Sequence, residues 1–209
     1  LIIFQSLLGM WTVTWQLKPV VVMAHLLGGL TTLSLLVWLL LGQRNARKWP
    51  LAAENRTLRY YALLGLALLV GQIALGGWTS ANYAALACPD FPTCQSQWWP
   101  PLDLREAFTP WRGLGRSYEG GVLANDARVT IHLMHRIGAL IVALYLGWLG
   151  WRLVATTGSR DLRYAGGVIL TLLMTQIGLG IANIVLRLPL PVAVAHTGGA
   201  ALLLLSLIT

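Results

Sequence analysis

Apolar runs of about 18–24 residues recur along this chain, and a run of that length is what a helix needs to cross the hydrocarbon core of a bilayer. No other feature limits the fold as strongly. Backbone groups inside lipid must pair within their own segment, so spans of this kind are helical. Six can be placed, at about 1–15, 20–42, 60–80, 128–152, 164–185 and 191–209. Pro19 and Pro191 stand at the starts of the second and sixth, where a missing N–H costs nothing. With 56% hydrophobic and only 11% charged residues, the chain lacks the polar surface of a soluble domain. The expectation is an all-α, polytopic membrane bundle.

The net charge of +8 does not read as a nucleic-acid footprint, because the basic residues fall in short loops between spans. Arg44, Arg47, Lys48, Arg56 and Arg59 face only Glu54 in the loop after the second span, and Arg152, Arg160 and Arg163 face Asp161 after the fourth. The long stretch 81–127 instead balances Arg105, Arg112 and Arg116 against five acids. The positive-inside rule places the first two loops in the cytoplasm and the long loop outside. Trp78, Trp98, Trp99 and Trp111 are then expected at the outer interface, and Trp38, Trp49, Trp148 and Trp151 at the inner one. No acidic side chain lies within a span, which argues against ion-coupled transport, and no P-loop, dinucleotide fingerprint or hydrolytic triad is present. Leu1 already lies in an apolar run with no charged segment before it, so the chain is expected to continue upstream.

Ionisable side chains are costly inside a membrane, and three spans each carry histidine near one end. His25 lies six residues after Pro19, His196 five after Pro191 and His135 seven after Arg128, roughly 8–11 Å along their helices. The three helices run the same way, so the imidazoles share one layer. One such histidine is as often a hydrogen-bonded packing residue as a ligand. Three at one depth favour a metal or cofactor, and imidazoles from facing helices can clamp a haem iron from both sides. His132, three residues before His135, reads as a partner behind the ligand, a proton carrier or an interfacial residue. Arg136 reads as a haem-propionate partner or a snorkelling side chain.

A repeat runs through these spans. Gln5-Ser-Leu-Leu-Gly9 precedes His25, and Gln176-Ile-Gly-Leu-Gly180 precedes His196, each glutamine twenty positions before its histidine and the two copies 171 positions apart. Gln72-Ile-Ala-Leu-Gly76 is a third copy of the glutamine–glycine phrase. The first two spans therefore look like a copy of the last two. Cys88 and Cys94, on the outer side by the orientation above, would pair as a disulfide in an oxidising compartment. Whether that bond only staples the loop or exchanges with a thiol partner stays open.

The phrases GGWTSANYAALACPDFPTCQ, IHLMHRIGAL and PVAVAHTGGAALL resemble the haem A synthase family, over essentially the whole chain. The resemblance implies eight spans in two related four-helix halves. On that mapping residues 1–42 are the second helix pair of the N-terminal, substrate-haem half, 43–59 a cytoplasmic loop, and 60–209 the C-terminal half with the outer loop 81–127 inside it. It implies that His135 and His196 ligate a haem b cofactor and that His25 is one of two ligands to the substrate, haem O. The second of those ligands, and a catalytic glutamate three residues before it, would lie upstream of Leu1. Cys88 and Cys94 match the family's outer-loop pair. The implied reaction oxidises a methyl group of haem O to the formyl group of haem A, with oxygen from water, and this segment alone would not turn over. Implied partners are the lipid bilayer, haem O synthase, an electron acceptor and further copies of the chain as a homo-oligomer. The implied location is the bacterial cytoplasmic membrane, ahead of the mitochondrial inner membrane. The alternatives are a bis-histidine b-type electron carrier and a transporter or scaffold with packing histidines.

Overall fold

A computed structural model describes residues 1–43, 56–155 and 159–208. Among them are seven helices: α1 (Ile2–Thr14), α2 (Pro19–Gln43), α3 (Arg56–Ala81), α4 (Leu104–Ala107), α5 (Asn125–Ala155), α6 (Arg160–Val185) and α7 (Leu190–Ile208). Helices α2, α3, α5, α6 and α7 are long and apolar enough to cross a membrane. The chain is a polytopic helical membrane protein. The expected first span is helical but short. The 13 residues of α1 cover about 20 Å, less than the roughly 30 Å of a bilayer core. Arg44, Arg47, Lys48 and Glu54, on which the orientation argument leans, lie outside the described residues, as do Trp49 and most of the loop 43–59.

Helices α3, α5, α6 and α7 form a closed ring in which α3 packs on α5, α5 on α6, α6 on α7 and α7 back on α3. Across the two diagonals, α3 to α6 and α5 to α7, contact is at most marginal. All four walls feed one apolar core, with Leu69 and Ile73 from α3, Leu146 and Leu149 from α5, Leu173 from α6 and Leu203 from α7. Helices α5 and α6 nearly touch. A Cβ on Gly166 would stand 2.6 Å from the Gly150 carbonyl, so only glycine permits that crossing. Helix α2 packs on α3 and α7 and carries α1 on its other side.

The repeat is a repeat in three dimensions. Helix α1 ends with Leu17 N–H donating to the Thr12 carbonyl (2.8 Å) and Gln16 N–H to that of Val13 (3.0 Å). Helix α6 ends with Leu188 N–H on Asn183 (2.7 Å) and Arg187 N–H on Ile184 (3.1 Å), each bond 171 positions on. Helix α3 ends the same way, through Ala84 to Thr79 and Tyr83 to Ser80. These are Schellman terminators, and their left-handed residues are Gln16 (φ 51°), Tyr83 (φ 54°) and Arg187 (φ 58°) rather than glycine.

The segment between α3 and α5 folds over one end of the bundle. It contains the short helix α4, capped by Asp103, whose carboxylate accepts the Glu106 N–H at 2.9 Å. Trp78, expected in a lipid-facing belt, is instead buried beneath this segment and donates its indole N–H to the Ala107 carbonyl at 2.9 Å. A hydrogen-bond partner from the loop outweighs the interfacial preference of the ring. Trp98, Trp99 and Trp111 are exposed, as are Trp38, Trp148 and Trp151.

Candidate functional site

Each of the three histidines is held by the helix before it, through the same pair of contacts. Gln5 of α1 donates its side-chain N–H to the His25 backbone carbonyl on α2 at 2.6 Å. Gln72 of α3 does the same to His135 on α5 at 2.9 Å, and Gln176 of α6 to His196 on α7 at 3.0 Å. One turn beyond each glutamine is a glycine against the imidazole. A Cβ on Gly9, Gly76 or Gly180 would stand 3.1, 3.1 or 3.2 Å from Cε1 of His25, His135 or His196. Three residues beyond each histidine a second glycine admits the glutamine. A Cβ on Gly28, Gly138 or Gly199 would stand 2.2, 2.3 or 2.4 Å from the Oε1 of Gln5, Gln72 or Gln176. The glutamine–glycine phrase of the repeat and the glycine after each histidine are thus two sides of one joint.

His135 and His196 sit on α5 and α7, which face each other across a diagonal of the four-helix ring. His25 belongs to the attached α1–α2 pair and borders an open groove of about 300 Å³ lined also by Ile2, Gln5, Ser6, Gly9 and Thr32. The structure therefore groups the histidines as two and one. The donor set fits a haem. The Nδ1 atoms of His25 and His196 are buried without a hydrogen-bond partner. Among the described residues no three His, Cys, Asp or Glu side chains converge to hold a metal ion. A porphyrin brings four nitrogens of its own and asks the protein for two axial ligands at most.

His132 faces elsewhere. It is buried, and Nδ1 donates to the Ala84 carbonyl at 3.0 Å, so it fastens α5 to the end of α3. Arg136 turns to the loop closed by the Cys88–Cys94 disulfide. Nη1 donates to the Thr93 carbonyl (2.8 Å), and Nη2 to those of Cys88 (3.0 Å) and Asp90 (2.8 Å). Within that loop the Asp90 carboxylate accepts from the Thr93 hydroxyl and from the N–H groups of Gln95 (2.6 Å) and Ser96 (3.0 Å). The Thr93 hydroxyl leads in holding its pKa below 3.8, the two backbone donors adding to it against the opposing effect of burial.

Two sets of residues have roles that the sequence reading did not assign. The glutamines appeared only as markers of a repeat, although an amide kept at a fixed distance before a histidine was a signal of contact. Lys18, in the turn before α2, is the other. It is 1% exposed, its ammonium donates to the Gly113 carbonyl at 2.7 Å, and it lies 2.8 Å from the centroid of the Trp111 ring. Burial pushes its pKa below the ordinary lysine value. Trp15 stacks on Trp11 and meets Trp111 edge-on, and the Tyr118 N–H donates to the Gln16 carbonyl at 3.0 Å. The segment before α5 is thereby strapped over the α1–α2 turn.

A model of the COX15-CtaA family, described as cytochrome oxidase assembly protein, matches residues 1–208. The heme A synthase of Shewanella oneidensis is 50% identical over 209 residues, which is all of this chain and 62% of that protein. The heme A synthases of Methylobacterium radiotolerans and Methylobacterium nodulans are each 35% identical, over 85% and 89% of this chain and 45% and 48% of their own lengths. The chain thus spans about half the length of the curated relatives it matches. It belongs to the COX15-CtaA family of cytochrome oxidase assembly proteins.

Proposed function

We propose that this chain is part of a membrane enzyme that converts haem O to haem A, with His135 and His196 as the residues that would hold a haem b. The observation that carries the reading is the placement of these two histidines on diagonally opposed helices of one bundle, each on an identical mount. The names of the relatives support haem A as the product, and the conversion of haem O follows from the family resemblance of the sequence. Oxidising a methyl group to a formyl group with water releases four electrons and four protons, so an electron outlet must accompany the site of chemistry. A haem held by both histidines would supply one-electron exchange.

The residues divide accordingly. His135 and His196 hold the electron-accepting group across the ring of α3, α5, α6 and α7. His25 and its groove form one side of the substrate site, and the second histidine and the acid of that site come from elsewhere in the complete protein. Arg136 keeps its Nε without a partner and so has one donor left for a haem propionate while its terminal nitrogens grip the disulfide loop. His132 braces the helix behind His135. The disulfide loop lies on the outer side of a bacterial cytoplasmic membrane, where the Cys88–Cys94 bond persists.

The test has two arms. The complete protein should show a six-coordinate low-spin haem spectrum that His135→Ala or His196→Ala removes. If both variants keep it, the ligand assignment is wrong. Expressed with a source of haem O, it should yield extractable haem A. Correctly inserted protein that binds haem but makes none would leave the electron-carrier reading.

A further inference from the structure

The mount of each histidine carries a recurring cost. The Oε1 atoms of Gln5, Gln72 and Gln176 are all buried and all without a hydrogen-bond partner, pressed against the Cα atoms of Gly28, Gly138 and Gly199. A buried carbonyl left unpaired costs about 1–3 kcal/mol, and a leucine of similar size at these helix contacts would carry no such penalty. The histidine carbonyl gains little in return, because a helical carbonyl is already paired with the N–H four residues on. Stability therefore does not account for three identical glutamines. Geometry does. A donor from the neighbouring helix onto the carbonyl of the histidine itself fixes how that helix is rotated and how far it has slid, and the glycine one turn along limits where the ring can lie.

We propose that Gln5, Gln72 and Gln176 are positioning residues for iron-ligating imidazoles, each setting the rotation of a histidine helix through the backbone, while the amide nitrogens of Gln72 and Gln176 also lie 3.0 Å from His135 Nδ1 and 3.4 Å from His196 Nε2. Metal-bound histidines are commonly oriented by an acceptor on the second ring nitrogen. Here the hold common to all three is on the main chain. The Gln-x-x-x-Gly phrase on one helix and His-x-x-Gly on the next spell one ligand mount, used twice for the His135–His196 pair and once at His25. The inference rests on the haem reading of those residues and adds to it.

The test uses the complete, haem-loaded protein and follows the low-spin signal that His135→Ala removes. Gln72→Leu and Gln176→Leu should each weaken haem retention about tenfold, the lower end of what loss of an outer partner costs a metal site, and add a high-spin component. Gln5→Leu, on the mount of the other site, should leave that signal unchanged. Gly138→Ala keeps the glutamine but drives a methyl into its Oε1, and should reproduce the Gln72→Leu spectrum; it serves if Gln72→Leu does not fold. Parental spectrum and retention in folded Gln72→Leu or Gly138→Ala would overturn the proposal. So would an equal change in Gln5→Leu, which would mark general loosening. If His135→Ala and His196→Ala themselves keep the signal, the haem assignment fails instead.

Discussion

Arg136 donates to the Cys88 carbonyl at 3.0 Å, so the residue beside the proposed ligand His135 is fastened to the disulfide loop. Its terminal nitrogens reach three further carbonyls of that loop, those of Asp90, Pro92 and Thr93. Arg136→Lys keeps the charge but not the planar fork that spans these acceptors. It is expected to destabilise the loop by about 2 kcal/mol, the scale of one hydrogen bond to a charged group. Thermal unfolding in detergent would read this, with Arg136→Leu losing more. Equal stability of Arg136→Lys and the parent would show that charge alone suffices.

Asp90 gives the loop a dependence on acid. Its folded-state pKa lies below 3.8, so its contribution is fully present above that value and is lost as pH falls through the lowered one. Asp90→Asn should cost about 1 kcal/mol at neutral pH and remove this part of the acid limb. Hydrogen exchange at the Gln95 and Ser96 amides, which the carboxylate accepts, is the direct measurement. Unchanged protection in the variant would refute the role.

Lys18→Ala removes a charged hydrogen bond and a cation–π contact from one place. A loss of about 2 kcal/mol is expected. Limited proteolysis should then open the stretch between Thr109 and Gly121 while leaving the helices intact. Trp111→Ala should produce the same cleavage pattern, because it empties the other side of the contact.

Adjacent glycines of α6 offer a paired test of packing. Alanine favours a helix over glycine by about 1 kcal/mol, so Gly167→Ala, where a Cβ meets nothing within 4 Å, should be neutral or stabilising. Gly166→Ala drives a methyl into the Gly150 carbonyl and the Leu153 side chain and should cost about 1–3 kcal/mol. Opposite signs in thermal melts would establish the crossing of α5 and α6, and equal melting points would contradict it.

Much of this architecture is legible in the sequence because lipid leaves the backbone few choices. The apolar runs mark α2, α3, α5, α6 and α7 to within about four residues at each end. The 171-residue offset, noticed on Gln5 and His25, extends to the hydrogen bonds that end α1 and α6. What could not be read is contact between distant segments. Lys18 is 95 positions from Gly113, and in a turn its charge looks like an orientation signal. Trp78 sits where an interfacial tryptophan would, and only the fold of the following segment buries it. His132 and Arg136 stand beside His135 on α5, and nothing in that adjacency foretells the bonds they make to Ala84 and to the disulfide loop. Adjacency along a helix says little about which neighbour a polar side chain meets.

The strap from the α4–α5 segment to the α1–α2 turn bears on how related chains can be recombined. A chimera joined in the loop between α2 and α3 respects the repeat, yet it separates Lys18 and Gln16 from the Gly113, Trp111 and Tyr118 that receive them. The natural unit of exchange is a discontinuous one: helices α1 and α2 travel with residues 111–118, and a donor of one must be a donor of the other.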